Sequence, residues 1–205
     1  MPFPARIDAS ALGEQALAVA EARGWDHWTL RDVAQALGVT PNALYRHVGD
    51  RAGLVVAMGE AATRALHAAL AAGPPLESDE DMVIRMTLRM ADFAKRRPHA
   101  YAAFMRAKPA PDDAAALAWL QLWDLVNATV RVAVPASGDA AAFALWALLV
   151  GRIELYFGPA AGAPLEAGLE ASVRALMAGF RSVGPVMSPL PSYAQRDPSR
   201  PGRDE

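Results

Sequence analysis

The sequence has no cysteine among its 205 residues, and this absence excludes several kinds of protein. No disulfide can form, no thiolate can bind a metal, and no cysteine nucleophile is present. A reducing compartment is compatible with this composition. Histidine is scarce too, and the spacing of the few that occur is not that of metal ligands. The four histidines are His27, His47, His67 and His99. We therefore expect no disulfide framework and no metal centre.

Long apolar runs are also absent. The longest, Ala140 to Gly151, is rich in alanine and ends at Arg152. It is shorter than the ~20 residues that cross a bilayer as a helix. The first ten residues, MPFPARIDAS, contain no apolar core of the kind that a secretion signal needs. We expect a soluble, cytoplasmic protein without a membrane partner.

The common enzyme motifs are missing as well. The sequence has no phosphate-binding loop, no dinucleotide-binding glycine pattern, no Gly-x-Ser-x-Gly elbow and no His-Glu-x-x-His pair. No other group of residues has the spacing of a catalytic site. We predict that the protein is not an enzyme and binds no cofactor.

The sequence does contain a helix-turn-helix pattern in residues 29–48. Thr29 is a typical helix cap, and Asp32 follows at the spacing of a capping box. Gly38 stands where the chain must turn sharply, a place that favours a residue able to take a positive φ. The apolar face of this first helix comprises Val33, Ala34 and Leu37.

A second helix follows the turn. Thr40 caps it, and Pro41 occupies its first turn, where a missing N–H group costs nothing. Leu44 and Val48 are expected to face inward. The residues left to face outward are Asn42, Tyr45, Arg46 and His47. A helix in this position is the one that enters the major groove of DNA.

Several residues of this pattern are candidates for contact with DNA. Asn42 and Arg46 carry the forked donors that suit base edges, although Arg46 is equally suited to a phosphate. Tyr45 is either a packing residue or a phosphate contact through its hydroxyl group, and His47 is placed to reach a phosphate. The predicted DNA-binding residues are Thr29, Arg31, Thr40, Pro41, Asn42, Tyr45, Arg46, His47 and Arg51.

This pattern resembles the tetracycline-repressor-like (TetR) family of bacterial transcription regulators. The likeness covers residues 5–72, about a third of the chain. Val48 stands where the family often has Phe, and Arg51 where it usually has Lys. The residues that carry the likeness are Ile7, Gly24, Thr29, Val33, Ala34, Leu37, Gly38, Val39, Leu44, Tyr45, His47 and Leu54. The resemblance implies a repressor that binds a palindromic operator in double-stranded DNA as a homodimer and is released by a small-molecule effector.

The charge of the chain keeps a second interpretation open. The formal net charge is −2, and residues 1–51 hold five arginines against six carboxylates. Electrostatics alone therefore does not suggest DNA, although Arg31, Arg46 and Arg51 all lie in or beside the motif. The alternative is an all-helical ligand-binding or scaffolding protein that no longer reads DNA. A helical-bundle enzyme is a further alternative, which the missing catalytic motifs disfavour.

The remaining sequence predicts an all-α fold with an amino-terminal three-helix domain, a long connecting helix and a larger helical domain. The predicted helices outside the motif cover about residues 8–23, 50–72, 78–97, 113–134, 139–157 and 165–183, with a short segment from Pro98. The predicted domains are a DNA-binding domain at 1–72, a ligand-binding and dimerisation domain at 73–187 and a disordered tail at 188–205. We expect the homodimer to form through the last two helices.

A methionine stripe in the second domain, together with nearby aromatic residues, has two interpretations. Methionines at helical spacing usually belong to a core, but they also line adaptable pockets. The second interpretation predicts a cavity for a mainly apolar ligand, between the end of the long helix and the next three helices. Arg152 and Glu154 are placed either to orient that ligand or to face the dimer interface. The predicted ligand-binding residues are Met86, Met90, Phe93, Phe104, Trp119, Trp123, Asn127 and Trp146.

Overall fold

The computed structural model describes residues 9–74, 78–111, 113–158 and 164–186. Within these ranges the chain forms nine α-helices and no β-strand, which confirms the predicted all-α fold. The helices are α1 (Ala9–Arg23), α2 (Leu30–Ala36), α3 (Pro41–Val48), α4 (Arg51–Ala71), α5 (Asp79–Arg96), α6 (Pro98–Arg106), α7 (Ala114–Ala133), α8 (Gly138–Phe157) and α9 (Leu169–Val183).

The chain divides into two compact units. The first comprises residues 1–74 and 86–125, and the second residues 75–85 and 126–205. This division reflects how the chain folds into compact units and not what each unit binds. The domain boundary near residue 72 stays a prediction, because it concerns which part binds DNA and which part binds a ligand. The predicted tail from residue 188 lies outside the described residues.

The first unit has an apolar core to which α1, the α1–α2 connection, α3 and α4 all contribute. Its largest fully buried side chains include Leu17, Trp28, Leu44, Leu54, Met58 and Leu66. The predicted inner face of α1 is largely correct, since Leu12, Ala16 and Ala20 are buried. Val19, which the sequence pattern also places on that face, is only half-buried.

In the second unit α8 and α9 bury one side each. The buried residues are Ala140, Ala141, Ala142, Leu145, Leu149 and Ile153 on α8, and Leu169, Val173 and Met177 on α9. The apolar pattern predicts that the last helix begins near residue 165, and this prediction is wrong. The helix begins at Leu169, because Gly168 adopts a left-handed conformation with φ of 68° at the cap position. Leu165 is buried in the preceding turn, so its apolar character reflects burial outside a helix.

Two helices, Arg51–Ala71 and Gly138–Phe157, are long and apolar enough to cross a membrane by length and composition alone. In the most apolar stretch of each helix, 44% of the first and 33% of the second is buried inside the protein. Helices in the core of a soluble protein have the same composition, so these two helices are only a weak indication of a membrane.

Candidate nucleic-acid interface

Helix α2 begins at the predicted capping box. The backbone N–H of Asp32 donates to the Thr29 hydroxyl at 3.3 Å, and the backbone N–H of Thr29 donates to the Asp32 carboxylate at 2.9 Å. The hydrogen bond from the Thr29 hydroxyl lowers the pKa of the Asp32 carboxyl, and Arg23, 3.1 Å away, lowers it further. The carboxylate therefore stays ionised at neutral pH, which keeps the cap intact.

The turn between α2 and α3 follows the prediction too. Gly38 has a φ of 66°, in the left-handed region where a side chain is strained. The N–H of Val39 then bonds to the carbonyl of Ala34 at 2.9 Å, which closes the turn. At the start of α3 the Thr40 hydroxyl accepts a hydrogen bond from Ala43 N–H at 3.2 Å, and Pro41 occupies the first turn. The caps and the turn that join α2 to α3 are thus those that the local sequence predicts.

Helix α3 presents a polar face to solvent. Leu44 is fully buried and Val48 half-buried, which fixes the rotation of the helix. The outward residues are Asn42, Tyr45, Arg46 and His47, all exposed. Tyr45 has 45% of its surface accessible, so it does not belong to the core. A helix with this exposure is able to place amide, guanidinium and phenol groups against DNA.

The arginines around α3 differ in how they are held. Arg31 on α2 and Arg46 on α3 are exposed, and neither forms an ion pair with a described residue. Arg51, the first residue of α4, donates from Nη1 to the carbonyl oxygen of Trp28 at 3.0 Å. Its guanidinium carbon also lies 3.8 Å from the centre of the Trp28 ring. Sequence spacing gives no signal for this contact, because the two residues lie 23 positions apart.

The predicted ligand-binding residues are divided between the two units. Met86, Met90, Phe93 and Phe104 are buried in the first unit. Trp119 and Trp123, also in the first unit, stack with ring centres 5.7 Å apart and are half-buried. Asn127 and Trp146 belong to the second unit. The ligand site stays a prediction.

Arg152 has a structural contact within the second unit. Its Nη2 donates to the carbonyl oxygens of Leu165 and Ala167, at 3.0 and 2.6 Å. These bonds hold the turn that precedes α9. Glu154 is exposed. Neither hydrogen bond of Arg152 can be predicted from the sequence, because a backbone carbonyl in a turn can accept a hydrogen bond whatever its residue type.

Comparison with known proteins agrees with this geometry. Residues 13–58 match the family model of the bacterial regulatory proteins, tetR family, and this match covers most of α1, all of α2 and α3, and the start of α4. No curated protein matches the sequence. Solved structures with the same fold include a possible TetR family transcriptional regulator from Streptomyces coelicolor A3(2), with 21% identity and a TM-score of 0.64, covering 86% of this chain and 100% of that one.

Two further structures were solved with a bound partner. BioQ with its double-stranded DNA operator has 15% identity and a TM-score of 0.64, covering 86% of this chain and 99% of that one. A TetR variant from Acinetobacter baumannii AYE in complex with minocycline has 18% identity and a TM-score of 0.61, covering 88% of this chain and 100% of that one. These likenesses establish the fold. Together with the family match at residues 13–58, they show that the chain has the fold of TetR regulators and that its helix-turn-helix is similar to that of the tetR family.

Proposed function

We propose that this protein is a cytoplasmic repressor that binds a palindromic operator as a homodimer and is released by a small, mainly apolar ligand. The observation that carries the proposal is the exposed polar face of α3, held by a threonine cap and a buried leucine. Asn42 and Arg46 are assigned to base edges, and Tyr45 and His47 to phosphates, with Arg31 on the neighbouring helix. BioQ, which shares the fold, was solved on its operator.

The dimer is supported by the outer faces of α8 and α9. Leu155 and Val183 expose 63% and 71% of their surface, and Phe143 and Phe157 are exposed too. The same faces carry small residues that are open to solvent. They are Ala147, Gly151, Ala171, Ala175, Ala178 and Gly179. An exposed apolar surface of this kind is typical of a protein interface.

Two helical glycines on these faces support the same conclusion. A Cβ added at Gly151 or Gly179 would meet no atom of a described residue within 4 Å. Glycine inside a helix costs about 1 kcal/mol relative to alanine, and no contact within the described part of the chain explains that cost here. A second protomer packed closely on these faces would explain it. The two-fold axis would then relate two copies of α3, whose separation of about 34–36 Å would fit adjacent turns of the major groove.

The effector is proposed to be mainly apolar. Its predicted site draws on buried methionines and phenylalanines and on the stacked Trp119 and Trp123. A ligand releases DNA only if it binds one separation of the two α3 helices better than another. Tryptophan fluorescence tests this part: apolar candidates should change the emission of the purified protein and release bound DNA. If no apolar candidate does both, the effector proposal fails and the DNA proposal stands.

DNA binding is tested with the region upstream of the protein's own gene. The labelled fragment should bind in fluorescence anisotropy at low salt, in the presence of excess unrelated DNA, and a footprint should reveal a palindrome. If the protein does not distinguish its upstream region from unrelated DNA at low salt, the repressor proposal is wrong. The alternative, an all-helical ligand-binding or scaffolding protein, would then be favoured by the near-neutral charge of residues 1–51.

A further inference from the structure

Arg51 and Trp28 join the two ends of the helix-turn-helix. Trp28 directly precedes Thr29, the cap of α2, and Arg51 directly follows Asp50, the cap of α4. Everything between them is α2, the turn, α3 and the short connection to α4. The contact between Arg51 and Trp28 therefore closes a loop that contains all of the DNA-reading helix.

The contact uses two properties of the guanidinium group at once. One nitrogen donates a hydrogen bond to the backbone carbonyl of Trp28 at 3.0 Å, while the central carbon lies over the indole, 3.8 Å from the ring centre. A guanidinium is flat and carries several N–H donors, so it can stack and donate together. A lysine ammonium is a single point charge and cannot hold both contacts in the same rigid arrangement.

Trp28 itself offers a firm support. Only 1% of its surface is exposed, although its Nε1 is buried without a hydrogen-bond partner among the described residues. A buried donor left unpaired destabilises a fold. The stabilising contribution of Trp28 therefore comes from the packing of its ring and from the face that Arg51 contacts. Trp25 meets it edge-on, with ring centres 6.3 Å apart. The indole thus has a fixed position against which Arg51 can hold the start of α4.

We infer that Arg51 is a positioning residue for DNA recognition, which acts through Trp28 to set the orientation of α3. Its guanidinium is held by the carbonyl and the ring of Trp28, and the residue matters for the geometry of that contact. The inference rests on the proposed function, since it assumes that α3 reads DNA. It differs from the sequence-based prediction, in which Arg51 binds DNA directly.

Replacing Arg51 by lysine separates the two roles, because Arg51→Lys keeps the positive charge and removes the planar group that contacts the ring and the carbonyl of Trp28 together. If Arg51 positions α3, this variant should lose about tenfold in affinity for the operator while its binding to unrelated DNA and the salt slope of that binding stay unchanged. Arg64→Lys is the matched control, since Arg64 is also on α4 and is paired with Glu60. The control should bind the operator like the unmodified protein.

A double-mutant cycle shows whether Arg51 acts through Trp28. Trp28→Phe keeps an aromatic face and should retain most of the affinity, whereas Trp28→Leu removes that face. Combining Arg51→Lys with Trp28→Leu should cost no more operator affinity than the worse single change, because each removes the contact between the guanidinium and the indole face. Thermal unfolding of each variant identifies any that fail to fold; if Trp28→Leu does, the cycle is run with Trp28→Met, which also lacks an aromatic face.

Two results would overturn the inference. The first is normal operator binding by Arg51→Lys, combined with a salt dependence of Arg51→Gln that is weaker by about 0.9 in the slope of log affinity against log salt. That change in slope is the one expected when a single direct bond to a phosphate is removed. The second is strict additivity of the Arg51 and Trp28 substitutions.

If the unmodified protein binds no operator, the proposed function has failed, and hydrogen exchange then tests the positioning role. Arg51→Lys should speed the exchange of amides in α2 and α3 severalfold and leave α8 and α9 unchanged. Equal rates in α2 and α3 would overturn the inference.

Discussion

Gly13 of α1 lies directly against the backbone of Ala57 on α4. A Cβ at Gly13 would collide with the Ala57 carbonyl oxygen and would come within 3.1 Å of the Ala61 Cβ. On another side of α4, a Cβ at Gly59 would collide with the Ala107 Cβ and come within 3.2 Å of the Ala103 carbonyl oxygen. Helix α4 is therefore fixed by close backbone contacts to α1 and to the region around the end of α6.

Gly13→Ala should destabilise the protein by about 1–3 kcal/mol, since the added methyl group forces the two backbones apart. Urea denaturation followed by circular dichroism measures the change. Ala18→Ser is the control, because Ala18 is an exposed position of the same helix, and it should alter stability by less than about 0.5 kcal/mol. Equal stabilities of the two variants would show that α1 and α4 do not approach this closely.

Thr40→Ala should lower stability by about 1 kcal/mol, the usual cost of losing a helix cap, because the Thr40 hydroxyl accepts from Ala43 N–H. Thr40→Ser keeps the hydroxyl and should stay close to the unmodified protein. Denaturant unfolding compares the three proteins. A serine variant as unstable as the alanine variant would mean that the methyl group of Thr40, and not its hydroxyl, is what matters.

Glu80 should make stability depend on pH. Its carboxylate lies 2.5 Å from Arg181 and 2.8 Å from Arg174, and the hydrogen bond from Arg181, followed by that from Arg174, lowers the pKa of Glu80 below its usual value of 4.5. A lowered pKa adds stability that is fully present above the usual value and is lost as the pH falls through the lowered value.

Glu80→Gln should therefore be less stable than the unmodified protein at pH 7, and the difference should close in acid. Thermal unfolding between pH 7 and pH 3 measures it. Glu170→Gln is the control, because Glu170 is exposed and, among the described residues, pairs with Arg174 alone, so its effect at neutral pH should be smaller. A difference between Glu80→Gln and the unmodified protein that persists unchanged at pH 3 would contradict this account.

Local features of the fold are far more predictable from the sequence than distant contacts. Thr29 and Asp32, like Thr40 and Ala43, lie three residues apart, so their capping bonds follow from spacing alone. The stacking of Arg51 on Trp28 joins residues 23 positions apart, and it depends on how α1, α2 and α4 fold together. No periodicity in a single sequence records such a contact.

The start of the last helix shows a second limit of prediction from sequence. Leu165 and Leu169 continue the apolar rhythm of α9, and that rhythm predicts one helix through both. Both leucines are buried, which accounts for their apolar character. The left-handed Gly168 lies between them, so that one belongs to a turn and the other to a helix. A pattern of hydrophobic residues records which side chains are buried, and it does not record the backbone that buries them.

Tyr45→Ala should weaken operator binding by about tenfold or more and leave the fold intact, because Tyr45 is exposed on α3 and its hydroxyl is assigned to a phosphate. Anisotropy titrations with the operator, combined with thermal unfolding, measure both properties. Tyr45→Phe removes only the hydroxyl and should account for most of the reduction in affinity. Full affinity of Tyr45→Phe would assign the contact to the ring instead of the hydroxyl.

Ala175→Glu should convert the dimer to monomers, since it places a charge on the exposed face of α9 that we assign to the interface. Sedimentation at micromolar concentration measures the assembly state. Ala136→Glu is the control, because Ala136 is exposed in the connection before α8, and it should leave the dimer intact. The dimer proposal fails if the unmodified protein is itself a stable monomer at this concentration.

The pairing of arginines in the first four helices has a consequence for how the protein searches a chromosome. Residues 1–74 contain no lysine, and in the described part of α1–α4, Arg23 and Arg64 are paired with carboxylates while Arg51 is held by Trp28. Only Arg31 and Arg46 among those described arginines make no such contact. Unspecific attraction to phosphates is correspondingly weak. Under the proposed function, the protein should slide little, be sequestered little by bulk DNA, and reach the proposed operator mainly by diffusion through solution.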